Sequence, residues 1–325
     1  GTVPGKGLSA SQTSRIMTGG MLPEGANAVV MVENTSYANE QHVNILKPVT
    51  SGQNVRYRGE DVRTGETVLT AGTVLGPGEI GLLASFQRSI LTVYRQPTVA
   101  ILSTGDEIVD IDEPLTPGKI VNSNSYSLAA MVREAGGKPV IPGIVGDTEA
   151  GIREAIESVA HVDIILSSGG VSVGDYDYVK KVLVDLGADM KFWKVRMKPG
   201  KPLAFGVLNG TPYFGLPGNP VSCMVSFLLF VRPALRKIMG YENLVLPIVQ
   251  ARLGNDVTAG GDRQHYLRAH VSFESGSFRA TTVTGQGSGM LSSMAGTNGL
   301  VIVEAGTTSI LRGKIVHVLL MRSAF

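Results

Sequence analysis

The chain has 325 residues, more than one ordinary hydrophobic core holds, so two or three domains are expected. Its composition of 43% hydrophobic and 17% charged residues is typical of a well-packed globular protein and argues against disorder. The net charge of only +2, with no basic stripe, argues against a nucleic-acid-binding protein, so any anion site must be local.

The first 97 residues are expected to be a β-rich region. They are rich in glycine, valine and threonine, and short β-type runs predict strands at 28–32 and 42–45. This pattern ends near residue 97, where a different alternation begins.

Residues 98–242 show strands alternating with helices. Near-continuous apolar runs, typical of parallel strands buried on both faces, predict strands at 99–102, 140–145, 163–166 and 213–216. Amphipathic stripes between these runs predict helices near 128–135, 152–159 and 179–186. This alternation predicts a doubly wound α/β domain.

Residues 243–325 return to the β pattern. Strands are predicted at 248–253, 265–273, 278–283, 299–303 and 315–321. The chain is therefore expected to be a multidomain α/β plus β protein with domains at 1–97, 98–242 and 243–325. In this arrangement the central doubly wound α/β domain is flanked by the β-rich N-terminal region and a C-terminal β-barrel-like domain.

Several classes of site and location are disfavoured. The one cysteine, Cys223, excludes an internal disulfide, and its apolar surroundings indicate a small buried hydrophobe rather than a reactive thiol. The five histidines show no zinc-ligand spacing. No signal peptide or membrane-spanning stretch is recognisable, so a cytoplasmic protein that does not bind membranes is expected.

Four polar, glycine-containing segments lie near the predicted strand ends of the central domain, where open parallel sheets bind ligands. They are 103–107 (STGDE), 167–175 (SSGGVSVGD), 198–201 (KPGK) and 216–222 (LPGNPVS). Glycines let the backbone approach a ligand and aim N–H groups at it. Asn219 before Pro220 predicts a helix start that favours an anion. With Lys194, Lys198 and Lys201 close by, the segments predict an oxyanion cradle.

Acidic residues form the second half of the predicted site. Glu107, Asp147 and Asp177 each lie at or after a strand end, and Asp61 lies in the run Arg-Gly-Glu-Asp. Hard oxygen ligands beside a bound phosphate suit Mg²⁺. Each of them singly also fits a helix cap or a solvated surface residue, above all Asp147.

One motif points to a different chemistry. Residues 170–174 match the G-x-S-x-G elbow of α/β-hydrolases, with Ser172 as the nucleophile. Partners in the right chain order would be Asp256 or Asp262 with His265 or His270. The extra glycine before the elbow, the position of the histidines in the β-rich region and the unexplained lysines make serine hydrolysis the weaker hypothesis.

Taken together, the segments resemble the molybdenum insertase family, which includes MoeA and the gephyrin E domain. The segments that carry the resemblance are 15–23 (RIMTGGMLP), 103–107, 168–177, 197–203, 216–222 and 286–293 (QGSGMLSS). They occur in the family's order and spacing over essentially the whole chain. The combination of GGVSVGD, MKPGKP and LPGNPVS is highly specific.

The resemblance implies insertion of molybdate into adenylated molybdopterin with release of AMP, assisted by Mg²⁺. The family's functional positions fall on Thr18, Asp61, Glu107, Asp147, Asp177, Lys194, Lys198, Pro217 and Pro220. Those that match its molybdate-binding groups are Lys198, Lys201, Ser222, Arg268 and Ser293. The metal ligands are expected to be Glu107, Asp147 and Asp177. The turn residues expected to cradle the pterin phosphate are Gly169, Gly170, Ser172, Gly174 and Gly218.

The resemblance also implies a homodimer whose active site combines the α/β domain of one chain with other domains of its partner. The adenylyltransferase that makes the substrate and the molybdoenzyme apoproteins are the implied protein partners. Family members carry a further N-terminal segment with an Asp-Gly-Tyr-Ala motif, so residues 1–97 are expected to be an incomplete remnant of the first two family domains.

Two other functions are alternatives to molybdenum insertion. A molybdopterin adenylyltransferase resembles residues 98–240 alone, so both flanking β-regions argue against it. A non-catalytic scaffold is the third hypothesis, and scaffolding relatives carry fused partner domains of which this sequence shows none.

Overall fold

The computed structural model describes residues 2–170 and 178–322. The chain divides into two compact units, Gly1–Thr70 and Ala71–Phe325. Among the described residues, no helix has the length and apolar character needed to cross a membrane.

The first unit contains one antiparallel hairpin. Its strands are β1 (Thr35–Asn39) and β2 (His42–Ile45), preceded by a single 3₁₀ turn. The strand predicted at 42–45 is confirmed, whereas the one predicted at 28–32 is wrong. Val29 instead donates its backbone N–H to Gln53 and accepts a bond from the Asn54 side chain, so a loop takes the place of a strand partner.

The second unit contains the remaining described helices and strands. Its helices are α1 (Pro77–Ser85), α2 (Ser123–Glu134), α3 (Glu149–Ser158), α4 (Tyr178–Asp185), α5 (Pro220–Ser226) and α6 (Arg232–Ile238). The π-helical segment Phe227–Val231 joins the last two. The strands up to residue 216 are β3 (Thr98–Thr104), β4 (Ile108–Val109), β5 (Ile120–Val121), β6 (Lys138–Val140), β7 (Ile144–Val145), β8 (Ile164–Ser168), β9 (Asp189–Lys194), β10 (Met197–Lys198), β11 (Pro202–Leu208) and β12 (Thr211–Leu216). Those that follow are β13 (Ile248–Leu253), β14 (Val257–Thr258), β15 (Gln264–Glu274), β16 (Ser277–Thr282), β17 (Gly299–Val303), β18 (Ser309–Ile310) and β19 (Ile315–Leu320).

A seven-stranded, mostly parallel sheet forms the centre of this unit. Its order is β6-β3-β8-β12-β11-β9, and β7 also pairs with β3. The central strands are parallel, while β11 and β9 add an antiparallel edge. The strands predicted at 99–102, 163–166 and 213–216 are confirmed. The run predicted at 140–145 is split into β6 and β7, because Pro142 lacks an N–H donor and Gly143 turns the chain with a φ of 124°.

Both faces of this sheet are buried, which explains the unalternated apolar runs. Val99 and Ile101 of β3 pack in one core cluster with residues of α2, α5 and α6. Ala100 and Leu102 pack in a second cluster on the opposite face, with residues of α3 and α4. The doubly wound prediction is confirmed, and it places the carboxyl ends of β3, β8 and β12 side by side.

The C-terminal strands close into a barrel. The sheet order β15-β16-β13-β19-β17 returns to its start, because β17 also pairs with β15. The short strand β10 joins the outside of this ring through a parallel pairing with β15. All five strands predicted after residue 243 are confirmed, as is the barrel-like form.

An apolar cluster joins the barrel to the helix that follows β12. Val221 and Val225 of α5 pack there with Leu300 of β17 and Leu319 of β19, and Met197 completes the buried group. Burying large apolar side chains of this kind contributes about 1.5–3 kcal/mol each. The barrel is therefore held against the start of α5, where the LPGNP segment lies.

Candidate active site

The glycine turns that follow β8 and β12 lie next to each other. The strands pair in parallel up to Ser168 and Leu216, and Gly169 donates its N–H to the Leu216 carbonyl at 3.2 Å. A Cβ atom on Gly218 would lie 3.9 Å from the Cα of Gly169. The structure thus brings together the predicted residues Gly169, Gly170, Pro217 and Gly218.

The turn after β8 requires glycine at two successive positions. Gly169 and Gly170 have φ values of 96° and 64°, which side chains rarely allow. A Cβ on Gly169 would lie 2.8 Å from the Thr104 carbonyl oxygen, and one on Gly170 would lie 2.5 Å from Val179 Cγ2. The remaining predicted residues of this loop, Ser172, Gly174 and Asp177, lie outside the described residues.

Thr104 marks the floor of this turn with an unused polar group. It is the last residue of β3 and is 5% exposed. Its Oγ1 would lie 3.0 Å from a Cβ on Gly170 and has no hydrogen-bond partner among the described residues. Buried polar groups are normally paired, so this hydroxyl is an exception, and it lies directly beneath the glycine turn. Thr104 was not among the predicted site residues.

Two predicted acidic residues meet at the carboxyl end of β3. The Glu107 carboxylate lies over Gly105, and a Cβ atom on that glycine would be 2.6 Å from Glu107 Oε2. The backbone N–H of Asp147 donates to Asp106 Oδ1 at 3.1 Å. Partial burial, followed by the negative charges of Asp106 and Glu107, raises the pKa of Asp147. Asp106, which the sequence analysis did not select, is thus part of the cluster.

This acidic cluster offers carboxylate oxygens to a hard cation such as Mg²⁺. Within residues 2–170 and 178–322, however, no group of three His, Cys, Asp or Glu side chains forms a complete metal site. The third predicted ligand, Asp177, lies in the part of the chain that is not described. Glu107 and Asp147 therefore remain the two predicted ligands whose positions are known.

The three predicted lysines lie on the connection from β9 to β11. Lys194 ends β9, Lys198 lies in β10 beside His265 of β15, and Lys201 directly precedes β11. All three are exposed, and none forms an ion pair with another described residue. Their charges are therefore available to an anionic ligand.

Gly200 packs this lysine-bearing connection against α5. A Cβ on Gly200 would lie 2.4 Å from Met197 Cε, 2.8 Å from Ser226 Oγ and 3.6 Å from the backbone oxygen of Ser222. Ser222 itself is buried in the first turns of α5. The KPGK and LPGNPVS segments are thus in direct contact, as the predicted cradle requires.

Arg268 and Ser293 also come together, on the barrel side of α5. Arg268 is 0% exposed and donates from Nε to Ser293 Oγ at 3.1 Å. Its Nη2 donates to the backbone oxygens of Gly285 and Gly287 at 2.8 and 3.0 Å. Burial lowers the pKa of this guanidinium. Its main visible role is therefore to hold the loop 285–293 (the barrel loop).

The barrel loop in turn touches the start of α5. Asn219 donates from Nδ2 to Ser288 Oγ at 3.1 Å, and the Val221 N–H donates to the Ser288 carbonyl at 3.0 Å. The helix start predicted at Asn219 is confirmed, although the Asn219 amide makes this contact instead of a hydrogen bond to the helix backbone. Pro220 does occupy the first helical turn, as predicted.

A cleft of about 630 Å³ adjoins Lys198 between β10 and the barrel. Lys198 and Pro199 line it on one side, and His265 and Gln286 are among the barrel residues on the other. His265 is 5% exposed, and its pKa is lowered first by burial and then by the charge of Lys198. Lys198 thus borders a space of small-molecule size.

The sequence matches three family models in the order in which the three regions were predicted. Residues 1–86 match the MoeA N-terminal region (domain I and II). Residues 100–237 match the probable molybdopterin binding domain, and residues 250–321 match the MoeA C-terminal region (domain IV). A molybdopterin molybdenumtransferase from Nostoc sp. is 41% identical over 318 residues, which cover 96% of this chain and 73% of that protein.

The chain belongs to the molybdopterin molybdenumtransferase family. The enzyme of that name from Bacillus subtilis is 37% identical, over 99% of this chain and 76% of its own length. The crystal structure of the molybdopterin biosynthesis moeA protein from Pyrococcus horikoshii OT3 is 31% identical and superposes with a TM-score of 0.81. That match covers 98% of this chain and 78% of the other.

Membership of the molybdopterin molybdenumtransferase family agrees with the absence of a hydrolase triad among the described residues. Asp256 accepts the backbone N–H of Arg312 at 2.7 Å rather than a histidine proton. Asp262 is exposed, and His265 Nε2 has no partner. Ser172 lies outside the described residues. The hydrolase hypothesis therefore has no geometric support here.

Two predicted residues belong to the first unit. Thr18 and Asp61 are both exposed within Gly1–Thr70. Their part in the site of a molybdopterin molybdenumtransferase stays a prediction.

Proposed function

We propose that the chain transfers molybdate to adenylated molybdopterin and releases AMP, the last step of molybdenum cofactor synthesis. The observation that carries this proposal is the convergence of two glycine turns, an unpaired lysine cluster and the start of α5 at one edge of the parallel sheet. The relatives' names give the transferred element and the acceptor. Both flanking family matches favour insertion over the adenylyltransferase alternative.

In this proposal the glycine turns bind the phosphate of the pterin substrate. Gly169, Gly170 and Gly218 carry no side chains, so the substrate can approach their backbone closely. Pro217 is buried and Pro220 starts α5, and both shape the turn that faces the phosphate. Thr104 Oγ1 supplies one further hydrogen-bonding group at the floor of the cradle.

The lysines neutralise the two anions that must meet. Molybdate and a phosphoryl group repel each other, so bringing them together requires fixed positive charge. Lys194, Lys198 and Lys201 provide it without breaking an ion pair among the described residues. Such preorganised charge also stabilises the negative charge that develops on the phosphoryl oxygens as AMP leaves.

The remaining molybdate-binding groups are proposed on α5 and the barrel loop. Ser222 lies in α5 against the lysine-bearing connection, and Ser293 is oriented by Arg268. Arg268 is fully buried and its hydrogen bonds hold Ser293 and the barrel loop, so its proposed part in the molybdate site is to position Ser293.

Glu107 and Asp147, together with Asp177, are proposed to hold Mg²⁺. The acidic cluster fits a cation, because burial and then the negative charges of Asp106 and Glu107 raise the pKa of Asp147, and a bound cation would offset that repulsion. When bound, the ion supplies charge neutralisation at phosphate oxygens and a more acidic water. Asp147 must lose its proton to serve as a ligand, so binding is expected to weaken as the pH falls.

Lys198→Ala is the test of the transfer function. Purified wild-type and variant protein receive adenylated molybdopterin, molybdate and Mg²⁺, and AMP release and molybdenum uptake are measured. The wild type is expected to release AMP as molybdenum is taken up, and the variant to lose at least about 100-fold in rate. ATP consumption instead would indicate the adenylyltransferase, and neither reaction would indicate a scaffold.

Lys191→Ala is the matched control. Lys191 lies on the same strand as Lys194 but is paired with Asp189. Its loss is expected to leave the rate within about twofold, since an exposed pair contributes little. Equal loss in both variants would show that the effect is not specific to the cradle.

We further propose a homodimer in the cytoplasm, with Thr18 and Asp61 of the partner subunit completing each site, as the family resemblance implies. A mixture of Asp61→Ala and Lys198→Ala chains tests this arrangement. If residues from both chains build one site, mixed dimers contain one intact site and recover about a quarter of the wild-type rate. No recovery after confirmed subunit exchange contradicts a shared site.

A further inference from the structure

The side chain of Asn124 connects the two glycine turns of the proposed phosphate cradle. Asn124 is the second residue of α2, and its Nδ2 donates to Ser168 Oγ at 2.7 Å and to the Gly218 carbonyl at 2.8 Å. Ser168 ends β8, and Gly218 follows β12. Since an amide nitrogen carries two hydrogens, both donors are in use, one for each turn.

Helix formation does not account for asparagine at this position. Asn122 is already the N-cap of α2, because its Oδ1 accepts the Ser125 N–H at 3.2 Å. Asn124 lies in the first helical turn, and neither of the two hydrogen bonds from its side chain is made to the helix. The helix itself therefore does not explain this side chain.

The two contacts of Asn124 Nδ2 leave the oxygen of the same side chain without a partner among the described residues. Asn124 Oδ1 is buried and has no hydrogen-bond partner among the described residues. An unpaired buried acceptor is unfavourable, so the two Nδ2 bonds hold the side chain in a position that its own oxygen does not favour. Thr104 Oγ1 is unpaired beside the same turn. Asn124 Oδ1 and Thr104 Oγ1 therefore both belong to side chains that contact the glycine turns.

The two turns need such a connection because their backbone pairing ends early. The last pair of the two strands is Ser168 with Leu216, and one further bond joins Gly169 to Leu216. Beyond that point the first turn continues with Gly169 and Gly170 and the second with Pro217 and Gly218, and the three glycines restrain the backbone little. The side chain of Asn124 lies where the ladder stops.

We propose that Asn124 is a positioning residue that sets the separation of the two glycine turns before the phosphorylated pterin binds. It acts through the Gly218 carbonyl and Ser168 Oγ, not by contact with the substrate. This inference rests on the proposed function, since it assumes that the turns bind the substrate phosphate. Holding the turns in their bound geometry lowers the ordering cost of binding.

Asn124→Asp tests the proposal, because aspartate has nearly the same size but lacks both donors. Its carboxylate would face the Gly218 carbonyl oxygen and push the turn away. We expect the KM for adenylated molybdopterin to rise about tenfold while kcat stays within about twofold, as for loss of uniform binding. AMP release at saturating molybdate and Mg²⁺ is the measurement.

Asn122→Ala is the matched control at the same helix end. It removes the cap of α2, so its Tm is expected to fall by several degrees while the KM stays unchanged. Asn124→Asp is expected to show the reverse, with the larger change in KM. Asn124→Ser, which is uncharged and too short to reach both turns, replaces the aspartate variant if that variant does not fold.

Ser168→Ala provides a second, independent measurement. It removes one of the two contacts, so the KM should rise about threefold in the wild-type background. In an Asn124→Ala background, which has no polar side-chain atom to meet Ser168, the contact is already lost, so the same change should have no further effect. Such non-additivity is the signature of two residues acting together.

The outcomes separate this inference from the proposed function. If the wild type releases no AMP on molybdate addition, the proposed function itself fails. If the wild type is active but Asn124→Asp keeps its KM within twofold, the positioning role is overturned. A fall in Tm as large as that of Asn122→Ala, with the KM unmoved, shows a merely structural residue and also overturns it.

Discussion

The strand-end turns of the parallel sheet and the barrel loop of residues 285–293 contribute to the proposed site in contrasting ways. In the turns, glycines determine the backbone path and Thr104 Oγ1 has no partner among the described residues, and Lys198 of β10 likewise forms no ion pair with a described residue. In the barrel loop, one buried arginine supplies three hydrogen bonds that hold the loop. In the first region some polar groups have no partner among the described residues, whereas in the second the polar groups hold the loop through hydrogen bonds.

The difference follows from how each region satisfies its backbone. Parallel strands bond to neighbours along their length, so their ends are placed by the sheet and can carry unused groups. The barrel loop is not itself paired as a strand, and the side chains of Arg268 and Gln286 hold it together and bond it to the backbone of β15. A buried charge is tolerated only when its hydrogen bonds are made. A basic residue in a predicted binding segment is therefore not necessarily free to bind an anion.

Arg268→Met is expected to have the largest effect of the variants that compare the two regions. Methionine fills much of the space but leaves Ser293 Oγ and the oxygens of Gly285 and Gly287 without their donor. The free energy of unfolding of the second unit should fall by about 3 kcal/mol, whereas Lys198→Ala should change it by less than about 0.5 kcal/mol. Urea denaturation of both variants is the measurement. Equal stability of the two variants would remove the distinction between the regions.

His265 gives the pH dependence of the barrel region. Because burial lowers its folded-state pKa, the unfolded chain takes up a proton first as the pH falls below about 6.5. Its contribution to stability is therefore present above pH 6.5 and is lost as the pH falls through the lowered pKa. The free energy of unfolding should decrease by up to about 1.4 kcal/mol per pH unit in that window.

His265→Gln should reduce this decrease between pH 7.5 and 5.0. His270→Gln, at an exposed position on the same strand, is the control and should leave the slope as in the wild type. If both variants keep the wild-type slope, another group causes the acid instability.

Asp106→Asn tests the acidic cluster at the end of β3 and is expected to have the smallest effect of these variants. Removing the Asp106 charge leaves burial and Glu107 to raise the pKa of Asp147, so Asp147 loses its proton at a lower pH. The acid limb of Mg²⁺-dependent AMP release should shift to lower pH, with a rate about threefold above wild type on that limb. Asp112→Asn, an exposed acid outside the cluster, should leave the profile unchanged. A shift to higher pH would contradict the assignment of that limb to Asp147.

Several predictions from the sequence were correct because they depended on local patterns. Apolar runs without alternation marked β3, β8 and β12, and turn residues marked their ends. Asp147 fitted a helix cap in the sequence, but in the structure Thr148 caps α3 by accepting the Gly151 N–H. The strand predicted at 28–32 failed because its polar partners come from residues 53 and 54.

The sequence by itself determined the doubly wound sheet, the barrel strands and the polar turns at the strand ends, since short-range periodicity and turn chemistry specify these. Only the tertiary structure decided which polar groups form hydrogen bonds within the protein and which have no partner among the described residues. Arg268 and Lys198 look equivalent in the sequence, and Asn124 contacts Gly218 at a sequence separation of 94 residues. Burial and long-range hydrogen bonding depend on packing, which no local pattern encodes.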